Sequence, residues 1–175
     1  MLNINESDYR LSAVMIMICR NQADQLYFPL IERMAYKGVH SGQIALPGGK
    51  HEAQDGSLEQ TALRECYEEI GVSPSGIIGK LSPLAISVSG FLVHPFVGFY
   101  DGTSPALRQQ EREVKSIIEL PLEGLMNDAL VKEGEVRVSD SFRMKTPYFA
   151  VEGNMVWGAT AMILSELKTV LRSIS

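Results

Sequence analysis

The sequence predicts an α/β (α+β) sandwich, and two observations carry that expectation. Two amphipathic helical patterns, at residues 57–70 and 160–173, are set among short apolar runs of strand length. Turn-forming residues separate those runs, and no linker or shift in composition divides them. Residues 1–175 are therefore expected to fold as a single domain.

The elements follow in order. Residues 11–19 and 26–34 are apolar and flank the polar Arg20-Asn21-Gln22-Ala23-Asp24, which reads as a strand pair. Residues 43–46 make a short strand entering a turn at Pro47-Gly48-Gly49. The helix at 57–70 has support at both ends. Ser57 is an N-cap with Gln60 at capping-box spacing, and Gly71 stands where a left-handed C-terminal cap belongs. Leu58, Ala62, Cys66 and Ile70 recur every four residues along it as an apolar stripe. Residues 77–87 and 91–100 are strand-like on either side of Ser89-Gly90. A strand at 113–120 is closed by Pro121, and 122–128 forms a short helix. Residues 136–144 alternate and pair with 148–151 in a hairpin that turns around Lys145-Thr146-Pro147. The last helix has apolar residues at 163, 164, 167, 170 and 171, which suits packing on a sheet.

Composition narrows the function classes. Apolar residues make up 45% of the chain and charged residues 21%, ordinary for a water-soluble protein. A net charge of −5 and the lack of a basic run argue against a nucleic-acid polymer as partner. Cys19 and Cys66 sit in apolar surroundings and read as reduced core residues, which points to a cytoplasmic location. Glu6 and Asp8 precede the first apolar run, so a signal peptide is not expected. That run is too short to cross a bilayer, and no membrane partner is expected.

The chemistry concentrates in Arg64-Glu65-Cys66-Tyr67-Glu68-Glu69-Ile70-Gly71-Val72. On a helix, Glu65, Glu68 and Glu69 fall within about a third of the circumference. Like charges so crowded repel, and a divalent cation relieves the cost; carboxylate oxygens suit Mg²⁺ or Mn²⁺. Three-carboxylate stripes also occur on ordinary solvated helix faces.

This run resembles the second half of the Nudix box, REUxEExGU with U aliphatic. Every fixed letter is present, as Arg64, Glu65, Glu68, Glu69 and Gly71, with Cys66 in an aliphatic place. The first half departs from the pattern. The box position for its first Glu is Gly56 and that for its Gly is Lys50. Asp55, five intervening residues after Gly49, takes the acidic place with one residue inserted before the helix. The stretch from Arg33 to Gly49 is similar to the segment that marks the coenzyme A pyrophosphatase branch of the family. Arg33, His40, Gly42, Gln43, Pro47, Gly48 and Gly49 match, whereas Met34, Gly38 and Leu46 replace a small residue, a second arginine and a phenylalanine. Lys37 lies beside the missing arginine and offers a point charge in its place. Residues 89–98, Glu113-Val114 with 119–122, and 156–161 extend the likeness over about residues 10 to 170.

The resemblance implies a Nudix-type α/β/α sandwich with a mixed sheet, the box forming a loop–helix–loop. It implies hydrolysis of a nucleoside diphosphate derivative, with Glu65, Glu68 and Glu69 and the carbonyl of Gly49 or Gly48 as metal ligands. Glu68 is a third ligand or the base, Glu113 is a second candidate base, and Arg64 joins the catalytic group by holding a neighbouring carboxylate. Arg33, Lys37, His40 and Gln43 are the expected substrate contacts. Taken alone, Arg33 and Lys37 read as surface charges, His40 as a hydrogen-bonded loop residue, and Phe91 and Trp157 as core aromatics. The branch implies coenzyme A or acyl-CoA as substrate and allows a homodimer. Alternatives are another nucleotide substrate (ADP-ribose, a nucleotide sugar or an oxidised dNTP) or a non-catalytic nucleotide sensor.

Overall fold

The computed structural model describes residues 6–34, 42–137 and 143–174. Among the described residues the strands and α-helices follow in the order β1 (Arg10–Arg20), β2 (Leu26–Arg33), β3 (Ile44–Ala45), β4 (Gly48–Lys50), α1 (Leu58–Ile70), β5 (Gly76–Lys80), β6 (Leu84–Ile86), β7 (Phe91–Thr103), β8 (Val114–Pro121), α2 (Leu122–Met126), β9 (Val131–Arg137), β10 (Arg143–Val151), β11 (Asn154–Val156) and α3 (Gly158–Ile174).

The main sheet is mixed. β1 and β7 run parallel at its centre, from Arg10 opposite Phe91 to Ile18 opposite Phe99. The other pairings of this sheet are antiparallel: β2 and β4 share one edge of β1, β8 and β3 pair with β2, and β5 and β6 share the far edge of β7. Alternation along β1 sorts its side chains to two faces. Ala13, Met15, Met17 and Cys19 pack with Ala62, Cys66 and Ile70 of α1. Ile16 packs with Leu30 and Val97 against Ile163, Leu164 and Leu167 of α3. The helices thus cover opposite faces of one sheet, and the box helix lies against strands that its own flanking segments extend.

The α1 caps form as the sequence requires, with one change. Ser57 Oγ accepts from Gln60 N at 3.2 Å, and Gly71 is left-handed at φ 76°. Gln60 Oε1, however, accepts from Gly56 N rather than closing the box on Ser57.

Three local expectations are corrected. Gly48–Lys50 is a strand, not part of a turn, because glycine lets it lie close against β1. At Gly48 φ is 156°, and a Cβ there would stand 2.6 Å from Val14 Cα. The single strand expected at 77–87 is two, β5 and β6, interrupted around Pro83, which has no N–H to give the ladder. No hairpin turns at Lys145-Thr146-Pro147: those residues lie inside β10, opposite Glu135, Gly134 and Glu133. β10 meets β11 only from Phe149 onward, so among the described residues Pro147 sits where the strand pairs with β9 alone. A missing N–H costs little at such an edge. The strand expected at 136–144 begins earlier, as β9, and with β10 and the added β11 it gives a separate three-stranded antiparallel sheet.

Candidate active site

The site begins with the way β4 meets α1. Gly48 donates its N–H to Glu69 Oε2 at 2.8 Å, and its carbonyl accepts from Arg33 Nη2 at 2.8 Å. Arg33 Nη2 also lies 3.6 Å from Glu69 Oε1. The end of β2, the glycine strand and the box helix are therefore tied at one point. One residue on, a Cβ at Gly49 would run into the Glu65 carboxylate, so only glycine leaves room for that side chain as placed.

The three box glutamates do not form one solvated wall. Glu69 is 1% exposed, Glu65 is mostly buried, and the Glu68 side chain is 52% exposed. The gradient arises because Glu69 adjoins the buried Cys66–Ile70 stripe while Glu68 turns outward. Burial pushes the Glu69 carboxyl up to about 7; Arg33 and the Gly48 amide oppose the rise, and Glu65 and Glu113 add to it. Burial likewise raises Glu65, opposed by Arg64, with Glu68 and Glu113 contributing. Glu113, exposed just ahead of β8, is thus within electrostatic reach of both. Its backbone carbonyl accepts from Met34 N at 2.8 Å, which fixes this segment beside the end of β2.

Arg64 is committed to carboxylates. Its Nε and Nη2 donate to Asp55 at 2.8 and 2.9 Å, and its Nη1 donates to Glu65 at 2.9 Å and Glu68 at 3.0 Å. Nη2 also reaches the Lys50 carbonyl at 3.2 Å. Asp55 is buried and further accepts from Thr61 Oγ1 and Glu52 N. The bidentate fork closes the loop from Lys50 to Asp55 onto α1, so the one-residue insertion is absorbed without losing the acidic partner. Sequence reasoning passed over Thr61, a fully buried hydroxyl one turn before Glu65 on α1. Its four-residue spacing from Glu65 was the available signal.

The Arg64 guanidinium beside Asp55 holds the carboxyl well below the usual carboxylate range. A depressed pKa adds stability above the unfolded value, and that stability is lost as pH falls through and below the ordinary Asp range. Asp55→Asn is expected to destabilise the protein by about 2–3 kcal/mol at pH 7, with the difference shrinking toward pH 3. Urea unfolding at the two pH values reads both quantities.

A cavity of about 620 Å³ opens beside these residues on the α3 face of the sheet. Arg33, Gln43, Gly48 and Gly49 line it next to the box, and Phe91, Trp157 and Met162 complete part of its wall. Phe91 and Trp157 are half-buried: Phe91 packs against the core as expected, and both also line this cavity. Lys37 and His40 lie outside the described residues. Among the described residues, no three acidic, histidine or cysteine side chains converge as a ready-made metal shell. Nor is any helix long and apolar enough to cross a membrane.

Comparison with known proteins agrees with this architecture. The model of the NUDIX domain matches residues 9–142. The Nudix hydrolase NudL of Escherichia coli O1:K1 is 35% identical over 169 residues, covering 95% of this chain and 85% of NudL. NudL of Shigella boydii serotype 18 matches to the same extent. Among solved structures, the Mycobacterium smegmatis Nudix hydrolase RenU superposes with TM-score 0.61 at 13% identity, over 95% of this chain and 88% of RenU. The NUDIX domain of Shewanella oneidensis NrtR, solved with ADP ribose, gives 0.56 at 22% identity, over 71% and 82%. A C. elegans Ap4A hydrolase gives 0.57 at 15% identity, over 94% and 98%. These structural likenesses concern the fold, a mixed sheet between few helices. With its box helix, its Arg64–Asp55 clasp and its glycine strand in place, the chain belongs to the Nudix hydrolase family, pyrophosphohydrolases that act on phosphorus-containing anhydrides.

Proposed function

We propose that this Nudix hydrolase cleaves the pyrophosphate of coenzyme A or an acyl-CoA, giving adenosine 3′,5′-bisphosphate and an (acyl-)4′-phosphopantetheine. The observation that carries the reading is Arg33, which begins the segment resembling the coenzyme A branch. Its guanidinium sits against Gly48 and Glu69 and lines the cavity. A phosphate arriving there meets a cation beside buried carboxylates.

Nudix hydrolases generally need divalent metal ions. The residues fit such an ion in donor chemistry: Glu65, Glu68 and Glu69 offer only oxygens, and Glu65 and Glu69 carry raised pKa values that a cation would relieve. Glu65, Glu69 and the Gly49 carbonyl would hold it, with Glu68, exposed and held by Arg64, free to turn toward it. Mg²⁺ or Mn²⁺ bound there would neutralise charge building on the phosphate oxygens.

The remaining work falls to the chain. Water oxygen bonds to one phosphorus, the bridging P–O bond breaks, and the leaving phosphate departs with its electron pair. Glu113 or Glu68 takes the proton from water, both being acidic groups within reach of the buried pair. Arg64 positions Glu65 and Glu68. Arg33 orients the diphosphate, joined by Gln43 on the cavity wall and by Lys37 and His40. A location in the cytoplasm agrees with the two free buried cysteines.

Gly38, where the branch has a second arginine, favours the second reading, in which ADP-ribose or another nucleotide is the substrate. NrtR binding ADP ribose and the Ap4A hydrolase support it by analogy only. Incubation with coenzyme A, ADP-ribose, diadenosine polyphosphates and oxidised dGTP, with Mg²⁺ or Mn²⁺ and products identified by mass, tests the choice. Coenzyme A is expected to be cut fastest; a higher kcat/KM for any of the others overturns the assignment.

Arg33→Ala and Lys37→Ala are each expected to raise KM for coenzyme A about tenfold, with kcat less affected, as loss of a desolvated phosphate contact requires. An exposed, screened charge would contribute no more than about 1 kcal/mol, so unchanged kinetics would return Lys37 to the surface. If Gly38→Arg greatly improved activity on coenzyme A, the native preference would lie with another nucleotide.

A further inference from the structure

The large cavity extends well beyond the residues that the proposed reaction uses. Arg33, Gly48 and Gly49 line it beside the box, and Phe91, Trp157 and Met162 also belong to its wall. A second cavity, of about 280 Å³, lies between β10 and α3, with Val131, Pro147 and Phe149 in its wall. Met144, Trp157, Gly158 and Met162 line both, so the two meet at one junction. Among the described residues, Arg33 and Lys50 are the charged members of these linings, and both lie beside the box. Beyond them the walls are largely apolar.

Two of the four residues shared by the cavities are methionines that face water. Met162 is 59% exposed and Met144 41%, and their unbranched thioethers can follow the contour of a varied apolar ligand. We propose that the two cavities form one channel that seats an extended apolar arm on the non-nucleotide side of the substrate. The enzyme then selects substrates by the length and apolarity of that arm. This rests on the pyrophosphatase reading above, since Arg33 and Gly48 line the same cavity. Each methylene fully withdrawn from water strengthens binding by about fourfold, so even partial burial of a medium chain is measurable. A purine stacked at Phe91 and Trp157 is the competing occupant.

Trp157 is the chain's one tryptophan, so its emission reports on the junction without any turnover. The protein is titrated with octanoyl-4′-phosphopantetheine, with 4′-phosphopantetheine and with adenosine 3′,5′-bisphosphate. The octanoyl compound is expected to blue-shift the emission and to bind at least about tenfold more tightly than its unacylated parent. Met162→Glu and Met144→Glu should remove most of that advantage, and Met162→Leu should retain it. Equal affinity for the two phosphopantetheines overturns the channel, as does a shift produced by adenosine 3′,5′-bisphosphate alone. The two readings fail separately. Octanoyl binding at Trp157 in an enzyme that leaves coenzyme A intact overturns the substrate assignment, while coenzyme A cleavage without an acyl advantage overturns the channel.

Discussion

Glu69→Gln is expected to lower kcat about a thousandfold while making the metal-free protein more stable at pH 8. The activity loss follows from removing one anionic donor beside the diphosphate, worth several kcal/mol in the transition state, about 4 kcal/mol for that factor. The stability gain has the opposite origin. Glu69 is buried and its carboxyl is raised from 4.5 to about 7. A raised pKa means that the group favours folding fully below 4.5 and loses that contribution as pH rises through about 7. Above this window the chelated wild type bears a buried charge, a cost of up to about 3 kcal/mol. Glutamine retains an oxygen for the Gly48 amide and carries no charge. Thermal melts in chelator at pH 5 and pH 8 should show a wild-type decline that the variant lacks. A variant that melts lower at both pH values would mean that Glu69 is there for stability.

Gly48→Ala is expected to cost about 4 kcal/mol or more, with activity lost in the same step. The new Cβ would stand 2.6 Å from Val14 Cα and 2.7 Å from Val14 Cγ1 and would strike the Ala13 carbonyl, at a φ of 156° that side chains rarely adopt. β4 would have to leave β1, taking with it the N–H that binds Glu69 and the carbonyl that binds Arg33. Gly79 supplies the control, because a Cβ there meets nothing within 4 Å. Gly79→Ala should change stability by less than about 1 kcal/mol. Guanidinium unfolding of both variants reads the contrast, and equal effects would show that close β1–β4 packing does not hold the site.

Much of this arrangement is legible in the residues. Ser57, Gly71 and the four-residue apolar stripe fix α1 to within a residue, because caps and periodicity are local signals. Asp55 is found by counting from Gly49, and Arg64 confirms it by closing on it across the inserted residue. What escaped depends on distant partners. Gly48 and Gly49 look like a turn until β1 is beside them; the bare Gly48 then admits β1 and the bare Gly49 admits the Glu65 carboxylate. Pro147 looks like a turn residue until β10 proves to have a free edge there. The unequal burial of Glu65, Glu68 and Glu69 follows from how far α1 is rolled on the sheet, which helix periodicity alone does not set. The cavity wall is assembled from β6, β7, β10 and α3, so no single stretch of sequence carries its pattern.

Hydrolysis of coenzyme A in ¹⁸O-labelled water, with Mg²⁺ and separately with excess chelator, tests metal-assisted attack on phosphorus most directly. With Mg²⁺ the products should be adenosine 3′,5′-bisphosphate and 4′-phosphopantetheine, one ¹⁸O atom appearing in a phosphate of one of them, and chelator should abolish both. Equal product formation in chelator, or product phosphates without label, would contradict it.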